Sequence, residues 1–82
     1  MSLYVKRSTY VEAIQWFPPG DMRHIPVPGI EHEVREGKSI YLCHTETGYR
    51  KIDPGDYIVT ESEHGQYPCK PDVFEKSFRP SR

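Results

Sequence analysis

The fold of this chain is decided by Asp53-Pro-Gly-Asp-Tyr-Ile-Val-Thr60 and by the segment after it, Gly65-Gln-Tyr-Pro-Cys-Lys-Pro-Asp-Val-Phe-Glu-Lys-Ser-Phe78. In the first stretch, proline suits a turn position with φ near −65°, and the following glycine suits a position with positive φ. The apolar residues 57–60 then predict a strand, and residues 66–69 predict a second strand that pairs back onto it. The two stretches therefore indicate an antiparallel β-structure.

A short C-terminal helix is expected over residues 71–78. Pro71 suits the first helical position, where a missing N–H costs nothing. The carboxylate of Asp72 lies in the first turn and favours the positive end of the helix dipole. Phe74 and Phe78 are four positions apart, so they share one face of the helix, and we expect this face to be buried.

Four further strands are expected upstream, at residues 9–17, 30–35, 39–44 and 49–52. The first is rich in β-branched and aromatic residues and carries apolar side chains on both faces, as is typical of a central strand. Residues 18–29 contain four prolines and two glycines and predict a loop. We expect a mainly β (α+β) fold: a small antiparallel β-barrel or strongly curved sheet of five or six strands, with one short C-terminal helix.

Composition points to one small globular domain over residues 1–82. Hydrophobic residues make up 35% of the chain and charged residues 28%. Residues 1–3 are interpreted as a vector remnant and left out of the fold. The formal net charge of −1 excludes a broad basic surface for non-specific nucleic-acid binding. Lys76, Arg79 and Arg82 cluster at the end and are interpreted as a solvated tail.

The sequence favours a cytoplasmic protein. No apolar run is long enough to span a bilayer, and no signal-peptide pattern opens the chain. The two cysteines, Cys43 and Cys69, do not make a disulfide scaffold, so reduced thiols are expected. We expect no membrane contact.

Three segments resemble one family of small phage and prophage proteins with a Gly-Asp-Tyr signature. They are Val11-Glu-Ala-Ile-Gln-Trp16, Gly55-Asp-Tyr-Ile-Val59 and Tyr67-Pro-Cys-Lys-Pro-Asp-Val-Phe-Glu-Lys-Ser-Phe78. The resemblance implies a bacteriophage or prophage accessory protein without an assigned biochemistry and with no catalytic residues to carry over. Two segments depart from the family pattern: residues 18–29, where members often carry a helix-forming segment, and the longer acidic run at residues 61–64.

The cysteines and histidines suggest two kinds of site, a metal site and a catalytic thiol. Cys43, His44, His64 and Cys69 would suffice for a tetrahedral metal site, but their spacing lacks the paired ligands of known zinc motifs. Buried thiols and exposed imidazoles are the favoured interpretation, with no metal or cofactor. Cys69 with His64 or His44 offers a thiol and a base, which also suggests a small cysteine-dependent hydrolase, although no orienting carboxylate follows from the spacing. We keep this hydrolase as a second alternative and predict no catalytic residue.

Aromatic residues suggest two kinds of binding. Four tyrosines on strands, with basic residues between two of them, resemble the stacking surface of a small single-stranded nucleic-acid-binding β-barrel, which is our first alternative. They are Tyr41, Tyr49, Tyr57 and Tyr67. Nucleic acid is not favoured, because the acidic residues 61–63 would interrupt a basic groove. Packing at the rim of the core or at a contact between subunits is the favoured role of these tyrosines.

Our main hypothesis is a non-enzymatic binding module for a host or phage protein or a small ligand. Trp16, Phe17 and the prolines after them are expected to border an apolar groove, with Gln15 and Tyr67 as polar anchors. The equal alternative is that Trp16 only fixes the loop to the sheet. A homodimer through a strand edge or the tyrosine face is also expected. The candidate site residues are Gln15, Trp16, Tyr67, Cys69, Lys70 and Asp72.

Overall fold

The computed structural model describes the backbone of residues 2–6 and 9–80 and the side chains of residues 11–78. In this part of the chain it contains eight strands and one helix. They are β1 (Ser2–Lys6), β2 (Thr9–Gln15), β3 (Ile30–Arg35), β4 (Lys38–Thr45), β5 (Gly48–Ile52), β6 (Tyr57–Glu61), β7 (Gly65–Cys69), α1 (Pro71–Ser77) and β8 (Arg79–Pro80). The predicted mainly β fold with a short C-terminal helix is confirmed.

One antiparallel sheet has five strands in the order β7-β6-β2-β1-β8. Strand β2 lies in the middle, as its apolar residues on both faces predicted. Strands β7 and β8 are the two edges, although only α1 separates them along the chain. The helix therefore crosses one face of the sheet. It closes what we call the helix-side cluster: Val11, Ala13, Val59, Phe74 and Phe78.

The second sheet is a meander of three strands in the order β3-β4-β5. It packs on the face of the larger sheet opposite the helix. The contact is formed by what we call the inter-sheet cluster: Trp16, Cys43, Ile52 and Ile58. The described chain is thus layered as helix, five-stranded sheet and three-stranded sheet. In these residues neither sheet closes on itself, so the structure has open sheets instead of the β-barrel alternative.

The number of strands exceeds the five or six expected, because both ends of the described chain join the large sheet. Residues 1–3 were left out of the fold, yet Ser2 and Leu3 belong to β1, which pairs with β2. Arg79 was assigned to a solvated tail, yet it lies in β8 and pairs with Val5. Met1 and Arg82 lie outside the described residues.

Strand β2 ends at Gln15, two residues earlier than predicted, because the next residue bonds to a turn. The Trp16 N–H donates to the Asp56 carbonyl at 2.7 Å, and the Gly55 N–H donates to the Trp16 carbonyl at 2.8 Å. The turn itself is as predicted. The Asp56 N–H donates to the Asp53 carbonyl at 3.1 Å, and Gly55 has a φ of 93°. These are the features of a type II turn.

The loop of residues 18–29 contains no helix or strand, as its prolines predicted. It is nevertheless held in place by local contacts. The Arg23 guanidinium lies 3.8 Å above the Phe17 ring centre and pairs with the Asp21 carboxylate at 2.9 Å. The His24 imidazole is hydrogen-bonded to the Phe17 carbonyl at 2.7 Å. These contacts therefore give the loop a defined conformation beside β2.

Candidate binding groove

A groove with a volume of about 730 Å³ lies where the small sheet meets the loop and the type II turn. The small-sheet wall comes from the β3–β4 hairpin and the end of β5, and the opposite wall comes from prolines. Its lining consists of Trp16, Pro18, Pro19, Arg35, Glu36, Lys38, Ser39, Ile40, Tyr41, Lys51, Ile52, Asp53 and Pro54. A volume of this size is typical of ligand pockets.

The groove exists because the first residues of β4 extend beyond the end of the neighbouring strand β5. The pairing of β4 with β5 stops at Tyr41 and Ile52, whereas β4 continues to pair with β3 back to Lys38. On the β5 side, residues 38–40 therefore have no neighbouring strand among the described residues. We call these three residues the free β4 edge.

Hydrogen bonding along β4 shows which residue presents its backbone at this edge. The His44 N–H donates to the Gly29 carbonyl at 2.8 Å, on the β3 side. Bonding in an antiparallel ladder alternates, so even-numbered residues of β4 bond toward β3 and odd-numbered residues bond toward β5. The N–H and C=O of Ser39 consequently point into the groove. An extended chain bonds to such groups when it adds to a sheet.

The proline wall is held rigidly by polar contacts behind it. The Gln15 amide donates to the Gly55 carbonyl at 3.1 Å, and the backbone of Trp16 is bonded on both sides to the turn. The Trp16 side chain is only 1% exposed and lies 5.0 Å, centre to centre, from the Tyr41 ring. The His32 ring also stacks on Tyr41, with the ring centres 4.7 Å apart. The groove thus has a packed aromatic floor, with Tyr41 as its half-buried part.

Charges line the rim, and most of them are already paired. Arg35 bonds to Glu33 at 2.7 Å, and Lys51 lies 4.0 Å from Asp53. In the part of the chain that the structure describes, Lys38 has no carboxylate within ion-pair distance. The rim therefore offers one uncompensated ammonium group next to the free β4 edge.

Three of the six predicted site residues meet at the type II turn, at the back of the groove. They are Gln15, Trp16 and Lys70. The Lys70 ammonium donates to Asp53 at 2.8 Å and to the two oxygens of Asp56 at 3.1 and 3.2 Å. The hydrogen bond from Lys70 lowers the pKa of Asp53 and, with the bond to Asp56, raises the pKa of Lys70. Lys70 therefore braces the turn.

The other three predicted residues lie elsewhere. Tyr67 lines a separate hollow of about 340 Å³ and donates its hydroxyl hydrogen to the Glu61 carboxylate. Burial, followed by that bond, raises the pKa of Tyr67. Cys69 is half-buried against the helix-side cluster, and Asp72 is exposed in the first turn of α1. Tyr67 is therefore not a polar anchor of the groove.

Sequence reasoning missed the residues that make the free β4 edge. Its signal was present in Glu36-Gly37, which lies between the strands predicted at residues 30–35 and 39–44 and is typical of a tight hairpin. Glu36 has a φ of 51° and Gly37 a φ of 77°, so both central residues are left-handed, as in a type I′ turn. This hairpin extends β4 beyond β5 and so positions Ser39.

Metal and thiol chemistry find little support in the geometry. The described residues contain no group of three or more His, Cys, Asp or Glu side chains placed to share an ion. Cys43 is fully buried, whereas the neighbouring His44 is exposed and packs against Tyr49. Burial raises the pKa of Cys43 to about 11, which disfavours the thiolate. The His64 ring lies 3.6 Å from Glu46.

The four strand tyrosines lie in four different environments and form no common face. Tyr57 stacks on Phe74 with ring centres 3.9 Å apart, below the helix. Tyr49 is 54% exposed on the small sheet. Tyr41 lies on the groove floor and Tyr67 beside Glu61. A stacking platform for successive bases would need several such rings side by side.

Comparisons with known proteins returned no match to this chain from family models, curated proteins or solved structures. The resemblance to small phage proteins therefore stays an expectation from the quoted segments.

Among the described residues, no helix combines the length and apolar character needed to cross a membrane.

Proposed function

We propose that this chain is a non-enzymatic binding module whose groove takes up an extended segment of a partner protein. The observation that carries the proposal is the free β4 edge. Ser39 presents its backbone donor and acceptor to a groove, and the register of β5 leaves the neighbouring position open. A peptide strand entering there would continue the small sheet in the place of β5.

The lining indicates which segment would fit. In an added strand, side chains alternate between the two faces of the sheet. One set would contact the prolines and Tyr41, which favours apolar or aromatic residues. The other set would lie near Lys38 and Lys51, which favours an acidic residue. The expected ligand is therefore a short extended peptide that alternates apolar and acidic residues.

The resemblance to small phage and prophage proteins supports a context for this module. We propose an accessory protein of a bacteriophage or prophage that acts in the bacterial cytoplasm on a host or phage protein. A small anionic molecule with an apolar body is the second candidate ligand, because the same rim and floor would hold it without using the Ser39 backbone.

The alternatives from other classes fit less well. A single-stranded nucleic-acid-binding surface is opposed by the separation of the four tyrosines and by the acidic residues near Tyr67. A hydrolase with Cys69 as nucleophile is opposed by the position of that thiol against the helix-side cluster, outside the lining of the groove. We therefore propose binding without catalysis.

The test is a peptide array of alternating apolar and acidic sequences, followed by titration of the best binders. Trp16 is the single tryptophan of the chain, so its fluorescence reports occupation of the groove. Ser39→Pro removes the edge N–H without touching the bonds of β4 to β3, and we expect at least about tenfold weaker binding. Ser39→Ala is the matched control, because it removes the hydroxyl bonded to His32 and keeps the N–H.

Charge is tested by Lys38→Glu, with Lys76→Glu on the exposed side of α1 as the control of equal charge change. We expect weaker peptide binding only for the first. Equal affinity of folded Ser39→Pro and wild-type protein would reject strand addition. Binding of single-stranded DNA that weakens with salt, in place of any peptide, would favour the nucleic-acid alternative.

A further inference from the structure

The outer face of the small sheet carries charges of opposite sign on its two sides. The inter-sheet cluster uses the other face, where Cys43 and Ile52 point inward. Alternation along β4 therefore directs Ile40, Leu42 and His44 outward. In the central row, Leu42 stands between Glu31 on β3 and Lys51 on β5.

We propose that a second copy of this chain covers this outer face, stacked face to face about a twofold axis parallel to β4. Rotation about such an axis places β3 of one copy over β5 of the other, and β4 over β4. The contact is isologous, so each favourable pair occurs twice. The interface would have Leu42 and Ile40 of both copies at its centre.

Charge complementarity is what selects a second copy as the occupant. In the central row, Glu31 of one copy faces Lys51 of the second copy, and the twofold axis repeats this pair on the opposite side of Leu42. A partner with one sign of charge would satisfy only one side of the face. The acidic, apolar and basic residues of this row are therefore their own complement, and Lys51 also lies 4.0 Å from Asp53 of its own chain.

At the end of this face next to the β3–β4 hairpin, positive charges of the two copies come close together. Lys38 of both copies would lie near the axis, and Arg35 remains paired with Glu33. The ammonium of Lys38 sits on a four-carbon stem and can turn away from the axis into water. The apolar centre is small, so the expected dimer is weak and forms at high protein concentration.

The experiment is sedimentation equilibrium of the unliganded chain over a concentration series that reaches the millimolar range. We expect a monomer–dimer equilibrium whose dissociation constant rises with salt. Glu31→Lys and Lys51→Glu should each weaken the dimer by about tenfold or more, because each creates two like-charge contacts. The double variant restores opposite charges and should recover most of the wild-type affinity.

Glu63→Lys, at an exposed position outside this face, is the matched control and should leave the dimer unchanged. Circular dichroism and thermal unfolding establish that each variant is folded. A strict monomer at millimolar concentration overturns the proposal. So does a dimer that is indifferent to both single reversals, since it would use another surface. Failure of the double variant to regain affinity overturns the pairing of Glu31 with Lys51.

Discussion

Lys70 holds the buried carboxylate of Asp56 at 3.1 Å, although the two residues are 14 positions apart and belong to different turns of the chain. The Asp56 side chain is 4% exposed, while that of Lys70 is 55% exposed. An ammonium group at the surface thus compensates a charge beneath it. The other carboxylate oxygen of Asp56 also accepts from Lys70, at 3.2 Å, and the Asp53 N–H donates to the Asp56 carboxylate at 2.9 Å. Lys70 therefore braces the type II turn, which also carries one wall of the groove.

Removal of this ammonium is the first prediction. Among the side chains that the structure describes, Lys70→Met leaves the buried Asp56 carboxylate with only the Asp53 N–H as a partner. We expect a loss of about 1–2 kcal/mol of unfolding free energy, reduced from the value for a fully buried pair because Lys70 is largely exposed. Urea denaturation measures this. Lys76→Met on α1 should change stability by less than about 0.5 kcal/mol, and an equal effect of both would contradict the brace.

The same variant alters the acid limb of stability. The Lys70 hydrogen bond lowers the pKa of Asp53 in the folded protein. Such a group stabilises the fold above its unfolded pKa, near about 4, and the contribution is lost as pH falls through the lower folded pKa. In Lys70→Met this component of the acid slope should disappear. Denaturation curves across the acid range would show an unchanged slope if Asp53 were not coupled to Lys70.

The two thiols should differ in reactivity. Cys43 is fully buried in the inter-sheet cluster, whereas Cys69 is half-buried. We expect a disulfide reagent to modify Cys69 well before Cys43 under native conditions. Cys69→Ala should abolish the fast phase, and Cys43→Ala should leave it intact. A fast phase that survives Cys69→Ala would show that the small sheet opens readily from the large one.

Alkaline pH should weaken the fold partly through Cys43. Its folded pKa, about 11, is raised by burial above the unfolded value of about 8.5. The stabilising contribution is complete below the unfolded pKa and is lost as pH rises toward the folded pKa. The Cys43→Ala variant should lack this part of the alkaline slope, as measured by urea denaturation between these values.

The hairpin that lengthens β4 stores strain at Glu36. Its φ of 51° is left-handed, which asparagine tolerates better than glutamate in a type I′ turn. We expect Glu36→Asn to stabilise the protein by roughly 0.5–1 kcal/mol. Glu46→Asn, in the turn between β4 and β5 and without positive φ, should give no such gain. A stability loss in Glu36→Asn would mean that the carboxylate itself matters.

Trp16 has a structural duty in addition to lining the groove. Its side chain is nearly inaccessible, and its backbone joins β2 to the type II turn. Trp16→Ala should cost about 3–5 kcal/mol, since truncating a buried tryptophan leaves a large cavity. Thermal unfolding measures the loss. Trp16→Phe should retain more stability and allow binding to be measured without the indole, and a negligible effect of both changes would contradict the packing.

Local patterns predicted much of the fold. The bounds of β3, the type II turn at Gly55 and the helix start at Pro71 all follow from residues within a few positions. Strand β1 was missed because its first residues, Ser2 and Leu3, were left out of the predicted fold. Strand β8 did not follow from local patterns, because a short edge strand depends on a partner far along the chain, as Arg79 depends on Val5. The division into two sheets has the same origin. It depends on β2 pairing with β6, which no local pattern shows.

The candidate site was predicted less well. Gln15, Trp16 and Lys70 were singled out, and all three lie at one turn because that turn collects backbone and side-chain bonds from three segments. Tyr67 was grouped with them from its neighbours in sequence, yet strand alternation and its bond to Glu61 take it elsewhere. Ser39 went unnoticed, because its importance comes from the lengths of two strands and not from its side chain.

The crossing of α1 has a consequence for how the chain emerges from the ribosome. Val11, Ala13 and Val59 are made well before Phe74 and Phe78, which cover them. The nascent chain therefore carries an uncovered apolar sheet face until its last quarter has been synthesised. Such a face invites contacts with other unfinished chains. A ribosome that stalls ahead of the helix would release a product prone to aggregation. The seven residues of α1 and the following Phe78 are therefore the last part of the apolar core to be synthesised, and the sheet face stays exposed until they are made.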